Sequence, residues 1–287
     1  MHEVAYDSRV SRLVEEAIRE DLGMGDITTD AVVPPVEQGR AVVLVKESGV
    51  IAGLDVAGMV FRFIDEGMIL NPLVSDGTPV DANITVATVE GAVASILKAE
   101  RTALNILQRM SGIATLTRAF VEAVKGTNVK ITDTRKTAPG LRVLDKLGVR
   151  LGGGVNHRFG LDDMMLVKNN HIDIAGGMAV ALARCEAYLE RCRLPVKVEV
   201  ETRSLVEVRE ALQHKFVNRI MLDNCSIDEM RKAVQVINHA VEVEASGNIS
   251  LATVRSVAET GVDFISIGAL THSAKALDIS LSLKRLH

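Results

Sequence analysis

The chain has 287 residues, 47% of them hydrophobic and 24% charged, with a formal net charge of -4, a make-up that suits one large soluble α/β domain or a barrel with a smaller companion. Trp is absent and aromatics are 3%, so base stacking has little to work with, and together with the acidic balance this weighs against a nucleic-acid partner. Cys185, Cys192 and Cys225 are odd in number and form no CxxC pair, no apolar run reaches the ~18–20 residues of a membrane span, and MHEVAYDSRV lacks the basic and apolar parts of a signal peptide, so neither a disulfide framework nor a structural zinc is expected, nor a membrane partner, and a reducing cytoplasm is the expected compartment.

Residues 10–22 place Val10, Leu13, Val14, Ala17 and Ile18 at helical spacing. RAVVLVKE (40–47) and ITVATVEG (84–91) read as strands, and LDVAGMVFRFID (54–65) between them as a helix. Ser95 to Val124 is helical in pattern almost throughout, with Ser111-Gly112 as the expected break or kink. From 129 onward, VKIT (129–132), MMLVK (164–168), VKVEVE (196–201), IMLD (220–223), VEVEAS (241–246) and FISIG (264–268) alternate with helical stretches. That alternation implies a parallel sheet. A series this long can close into a barrel, and no GxGxxG follows the first strand to favour a dinucleotide fold.

Side-chain alternation puts Lys197, Glu199 and Glu201 on one face of VKVEVE and the valines on the other; Glu242, Glu244 and Ser246 likewise share a face. In a barrel the charged set points into the lumen, where carboxylates need cations, water or ligand. Lys168, Asp223, Ser246 and Gly268 fall at strand ends, where barrel active sites form.

The segment from Asp133 to His171 carries seven Lys or Arg against four Asp, a net +3 that leaves -7 on the rest of the chain. An isolated Arg135-Lys136 would be a solvated pair. At a strand end, near Arg158 and Lys168, it points instead to a ligand with more than one anionic group. Arg142, Lys146 and Arg150, four apart, are expected to form a solvated helix face. The Gly152–Gly154 run reads alone as a flexible loop; before Asn156-His157-Arg158 it could bring backbone close to a ligand. His157 divides evenly between structural histidine and site residue. Ser246-Gly247-Asn248, ahead of a helix expected near Ser250, and the loop from Gly268 to Ala274 suit a phosphate at a helix N-terminus, against plain N-caps by Thr271 or Ser273. Asp223 with Glu199 could hold a ribose hydroxyl, a divalent cation, or both. Arg101 reads as a surface residue. Anionic-ligand cations, phosphate loops and intervening carboxylates together suit a phosphoribosyl transfer.

The segments ERTALNILQRMSGIAT (100–115), DTRKTAPGLR (133–142), LGGGVNHRFGLDD (151–163), LVKNNH (166–171), VEVE (198–201), LDN (222–224), EASGNI (244–249) and SIGALTHSAKALDISL (266–281) resemble the quinolinate phosphoribosyltransferase family, and weaker matches lie at 20–30 and 46–53. The resemblance implies an N-terminal α/β sandwich (residues 1–110, with 275–287 returning to it) and an irregular, incomplete TIM-like α/β barrel (111–274). It implies conversion of quinolinate and phosphoribosyl pyrophosphate to nicotinate mononucleotide, pyrophosphate and CO₂ with Mg²⁺. It also implies a homodimer, with room for higher assembly, in which Arg101 reaches the partner's site. Carried over by position, Arg135, Lys136, His157, Arg158 and Lys168 surround the quinolinate carboxylates, with Arg101 from the partner, and Thr134 is a further substrate-binding residue. Glu199 and Asp223 hold the ribose and its Mg²⁺. Ser246, Gly247, Asn248, Gly268, Ala269 and His272 cradle the 5′-phosphate, and Ile267 is a further substrate-binding residue. The catalytic set is Lys136, Lys168, Glu199 and Asp223. Asn169 stands where the family commonly has Asp, a departure expected to leave the chemistry unchanged.

Three alternatives stay open: a paralogue acting on another acid or on nicotinate, a Schiff-base lyase using Lys136 or Lys168, and a non-catalytic sugar-phosphate binder. The lumen carboxylates speak against the last.

Overall fold

A computed structural model of the chain describes residues 8–285. The start of the chain, where a targeting signal was sought, and the last two residues of the returning tail lie outside the described residues. The described residues divide into two compact units: 8–118, 137–153 and 269–285 form the first, 119–136 and 154–268 the second.

In the first unit, α1 (Ser8–Leu22) buries Val10, Val14 and Ile18, one turn apart. After α2 (Ile27–Val32), capped by the Asp26 carboxylate, come β1 (Gln38–Val45), β2 (Gly49–Val50), α3 (Leu54–Ile64), β3 (Ile69–Pro72), β4 (Pro79–Val80), β5 (Ile84–Ala92) and the long α4 (Val93–Ala123). After the second unit begins, α5 (Arg142–Leu151) belongs again to the first unit. β1, β5, β3 and the returning tail form one antiparallel sheet, and residues 49–50 pair with 79–80 in a small second one. One core joins α1, α3, α4 and α5 to the main sheet, with Val43, Val45, Val86, Val89, Ile96, Leu107 and Met110 near its centre.

The expected domain boundary differs at three points, the first being residues 111–118, which stay with the first unit. Thr137–Gly153 joins the first unit because Asp145, fully buried on α5, takes a two-pronged ion pair from Arg109 on α4 at 2.7 and 2.8 Å. Residues from Ala269 also belong there. The expected break at Ser111-Gly112 does not form; α4 runs through it unbroken. Ser111 instead accepts from the Ala52 amide and donates to the Ala52 carbonyl. A Cβ at Gly112 would lie 2.1 Å from the Lys275 carbonyl oxygen. That glycine is therefore a point of close approach. Gly112→Ala is expected to cost about 1–3 kcal/mol through forced backbone movement, read as a lower urea midpoint at unchanged slope; an unaltered midpoint would show that the 275–276 segment yields freely.

In the second unit the strands are β6 (Lys130–Thr132), β7 (Met164–Val167), β8 (Lys197–Thr202), β9 (Arg219–Asp223), β10 (Glu242–Ser246) and β11 (Phe264–Ser266). The helices are α6 (Asn169–Ala175), α7 (Met178–Cys192), α8 (Leu205–Ala211), α9 (Ile227–Ile237) and α10 (Val254–Ala258). All six strands are parallel, in the order β6-β11-β10-β9-β8-β7. No pairing joins β7 to β6, so the barrel is incomplete, as expected; Val155 adds one bridge beyond β6. The first unit closes with α11 (Ala269–His272) and β12 (Ile279–Arg285), which pairs antiparallel with β1 over seven residues.

Parallel pairing brings the C-terminal strand ends together: Asp133 after β6, Lys168 after β7, Glu201 near the end of β8, Asp223 ending β9 and Ser246 ending β10, with Asp223 and Ser246 in register.

Candidate active site

The site is built from the loops at that edge. Asp133, fully buried, accepts from the His157 amide at 2.8 Å and from Asn156 Nδ2 at 2.6 Å. This pins the 156–158 turn beside the end of β6. Thr134 Oγ1 accepts from the Lys136 amide, shaping the turn that carries Arg135 and Lys136. Arg158 Nη1 donates to the Met164 carbonyl at 3.1 Å.

Arg135 and Arg158 are like charges close enough to act on each other. Burial, then the Arg135 guanidinium, holds the Arg158 pKa below its usual value. Arg135 Nε is buried and finds no acceptor among the described residues. A half-buried guanidinium pair with an unspent N–H is a receptor for a multiply charged anion. Lys136 and Lys168 stand exposed at the same edge. Lys168 opens α6, where its amide donates to His171 Nδ1 at 2.9 Å.

The carboxylates separate by depth. Glu199 pairs in register with Arg219 at the start of β9, is fully buried, and lies 3.0 Å from His157 Nε2; Glu244, also fully buried, lies 3.5 Å from the same atom. Arg219 donates to Glu244 at 2.9 Å and to Glu242 at 3.0 Å, and stacks 3.8 Å over Phe264. Glu199, expected beside Asp223 at the ribose, is thus committed to the lumen. Glu201, two residues on and half-buried, is the glutamate of this strand that Asp223 acts on. Burial first, then the charge of Asp223, raises its pKa, while Asn169, Lys168 and Arg203 lower it. Sequence alternation puts both glutamates on one face; the neighbouring Lys168 and Asp223 at the strand end were the available signal for choosing Glu201.

His157 does not present its ring to a ligand as expected. Its side chain is 6% exposed, Nδ1 accepts from the Arg158 amide at 2.7 Å, and Nε2 faces the two carboxylates. Burial opposes a charge on the ring, but Glu199 and Glu244 outweigh it and raise the pKa to about 9. The cluster therefore keeps an extra proton at neutral pH. On Nδ1 that proton would oppose the Arg158 N–H. Glu199 is the better holder, since burial and then Glu244 raise its pKa. His157, Glu199 and Glu244 lie close enough to suggest a metal centre, yet Nε2 must carry the ring proton when Nδ1 accepts, which leaves no lone pair there for a metal.

The phosphate loops differ from expectation as well. A helical turn opens at Ser250, whose carbonyl accepts from the Val254 amide at 2.8 Å and whose amide donates to Thr253 Oγ1, but the regular helix α10 starts only at Val254 and is short. α11 is a single turn. An anion held here would meet the loops' own N–H groups rather than a long helix dipole. Ser246 is half-buried and Gly247 and Asn248 are left-handed, with φ of 98° and 51°. Ile267 is buried and its amide donates to the Thr132 carbonyl at 2.9 Å. Gly268 closes the second unit. Arg101, exposed on α4, and Ala269 and His272 belong to the first unit; the His272 Nδ1 lies 2.6 Å from Ser273 Oγ.

Asn169, expected to be neutral, donates its amide to Glu201 Oε1; an Asp there would set a second carboxylate against it. Lys146, expected on a solvated face, is buried on α5, with Arg142 half-buried and Arg150 exposed.

Two family models match the chain: the N-terminal domain of quinolinate phosphoribosyl transferase over residues 26–111 and its C-terminal domain over residues 113–282. The chain belongs to the quinolinate phosphoribosyl transferase family. It is 45% identical over 286 residues to quinolinate phosphoribosyltransferase [decarboxylating] 1 of Nicotiana glauca, covering 94% of this chain and 81% of that protein. The crystal structure of NadC from Streptococcus pyogenes superposes with a TM-score of 0.92 at 39% identity, covering 97% of this chain and 98% of that one. Nicotinate-nucleotide pyrophosphorylase from Francisella tularensis gives a TM-score of 0.90 at 40% identity, with 96% of each chain covered. The chain is thus a phosphoribosyltransferase of pyridine nucleotide biosynthesis. Among the described residues, no helix is long and apolar enough to cross a membrane.

Proposed function

We propose that this enzyme transfers the phosphoribosyl group of phosphoribosyl pyrophosphate to quinolinate, with decarboxylation, in de novo NAD biosynthesis. The observation that carries the choice of acceptor is the crowded guanidinium pair, Arg135 and Arg158, with a buried Nε lacking an acceptor. Quinolinate brings two carboxylates to satisfy it, with Lys136 and Lys168 adding charge at the rim.

The ribose lies against Glu201 and Asp223, and its 5′-phosphate against Ser246, Gly247 and Asn248, with Gly268 completing the cradle. As the bond from the anomeric carbon to pyrophosphate breaks, Glu201 and Asp223 stabilise the positive charge that develops there. The pyridine nitrogen attacks that carbon and becomes quaternary. The ring then accepts the electron pair of the adjacent carbon–carboxylate bond, CO₂ leaves, and that carbon takes up a proton. No protein nucleophile is required; positioning and electrostatics carry the rate. Two carboxylates whose charges oppose each other are hard oxygen donors that suit Mg²⁺. Arriving on the polyphosphate, the ion would neutralise the leaving pyrophosphate. His157 supports this site from below through the 156–158 turn.

The working assembly is a homodimer in the cytoplasm, with Arg101 donated to the partner's site. Its exposure on α4 and the three unpaired cysteines support this reading. Mixing separately inactivated Arg101→Ala and Lys136→Ala proteins should restore activity in proven mixed dimers; none recovered would count against the shared site.

Nicotinate, lacking one carboxylate, should react with kcat/KM at least about 100-fold below quinolinate, the scale of a buried guanidinium left unpaired. Equal rates would make the acceptor a monocarboxylate and overturn the assignment.

A further inference from the structure

The turn after β9 meets the loop after β10 through one side chain. The Asn224 amide N–H donates to the Ser246 carbonyl at 2.9 Å, continuing the pairing one step past Asp223 and Ser246. Asn224 is left-handed, with φ of 55°. Its Nδ2 donates to Asp223 Oδ2 at 3.0 Å, and its Oδ1 accepts from Asn248 Nδ2 at 3.0 Å. Between these residues runs Gly247, where a Cβ would lie 2.2 Å from Asn224 Oδ1. The glycine lets the loop close onto the amide.

The chemistry permits few substitutes. Asp223 accepts and Asn248 donates, so the bridging group needs a donor on one side and an acceptor on the other. An amide supplies both. A carboxylate would keep the acceptor and oppose Asp223. Left-handed Asn224, Gly247 and Asn248 in two facing turns persist only where surrounding contacts hold them.

We infer that Asn224 is a positioning residue that clasps the Asp223 carboxylate to the 246–248 loop, fixing the spacing between the ribose and 5′-phosphate subsites of one sugar phosphate. The inference rests on the proposed reading of those subsites. Among the described residues no hydrogen bond or ion pair joins the clasp to Arg135 or Arg158, so its effect is expected to fall on the phosphoribosyl substrate.

The test compares Asn224→Ala and Asn224→Asp with the unaltered enzyme, varying each substrate separately. Ribose 5-phosphate serves as a dead-end ligand that spans both subsites, and thermal unfolding is recorded alongside. Asn224→Ala should raise the KM for phosphoribosyl pyrophosphate and the Kd of ribose 5-phosphate about tenfold, the scale of lost hydrogen bonds to charged groups, while the KM for quinolinate moves less than about twofold. Asn224→Asp should be worse than Asn224→Ala, with an unfolding midpoint near that of the parent. A ribose 5-phosphate Kd unchanged in Asn224→Ala, a parallel rise in both KM values, or an Asp variant no worse than Ala would each overturn the clasp. Failure of the parent to turn over quinolinate would instead sink the proposed reaction, and the clasp would still be judged by ribose 5-phosphate binding.

Discussion

Arg135→Ala is expected to lower kcat/KM for quinolinate by a factor of about 100 to 1000, the range that follows when one partner of a buried, charge-assisted contact is removed. The loss should fall mainly on KM for quinolinate, leaving that for phosphoribosyl pyrophosphate nearly unchanged. The reason lies in how the parent stores unfavourable charge. Two guanidiniums share a partly buried site, Arg158 is depressed by burial and by Arg135, and the Arg135 Nε has no acceptor. A dianion relieves all three conditions together. Arg135→Lys should recover only part of the loss, because a point charge cannot reproduce the planar fork. A variant in which both KM values are unchanged would place the acid elsewhere.

The second large effect concerns stability. Glu244→Ala should cost about 3 kcal/mol, since it strips Arg219, a largely buried cation, of a 2.9 Å partner and leaves Glu242 as its remaining carboxylate. Burial works to raise the Glu244 pKa, but His157, Ser266 and Arg219 outweigh it, so this carboxylate is the ionised one. Glu199→Gln should cost less than about 1 kcal/mol, because burial and then Glu244 favour the protonated form of the residue it replaces, and an amide preserves the contact to His157. The pH dependence follows from the sign of the shift. Glu199 binds its proton more tightly in the folded chain than in the unfolded one. Its contribution is therefore complete below the ordinary carboxylate range and is lost as pH rises through the raised value. Glu199→Gln should remove that part of the decline, seen in urea midpoints across pH. Equal damage from the two variants would show that Glu199 carries the charge.

Much of this architecture is legible in the residues. The βα rhythm after residue 129 yields the parallel sheet, and the basic block from 133 to 171 locates the anion site. What alternation cannot reveal is depth. Glu199 and Glu201 share a face, and which one meets a ligand depends on where β8 ends relative to β9, a matter of register set by the whole sheet. Lys146 looks like solvated surface by its spacing, but α5 is covered on that side as well. Gly112 has the look of a helix breaker because the feature that requires it, the Lys275 carbonyl, lies 163 residues away in sequence. The helix expected near Ser250 opens there with a capped turn, the Thr253 hydroxyl accepting from the Ser250 amide, before the regular turns of α10 begin at Val254.

The central claim is that one ligand fills the Arg135–Arg158 site with a carboxylate destined to leave. Quinolinate labelled with ¹⁴C in the carboxyl group next to the ring nitrogen tests it directly, supplied with phosphoribosyl pyrophosphate and Mg²⁺ while pyrophosphate is assayed in parallel. The expected result is labelled CO₂ and pyrophosphate released in equal amounts, with no labelled CO₂ when phosphoribosyl pyrophosphate is omitted. Pyrophosphate formed with the label retained in the nucleotide, or no release of either product, would contradict it.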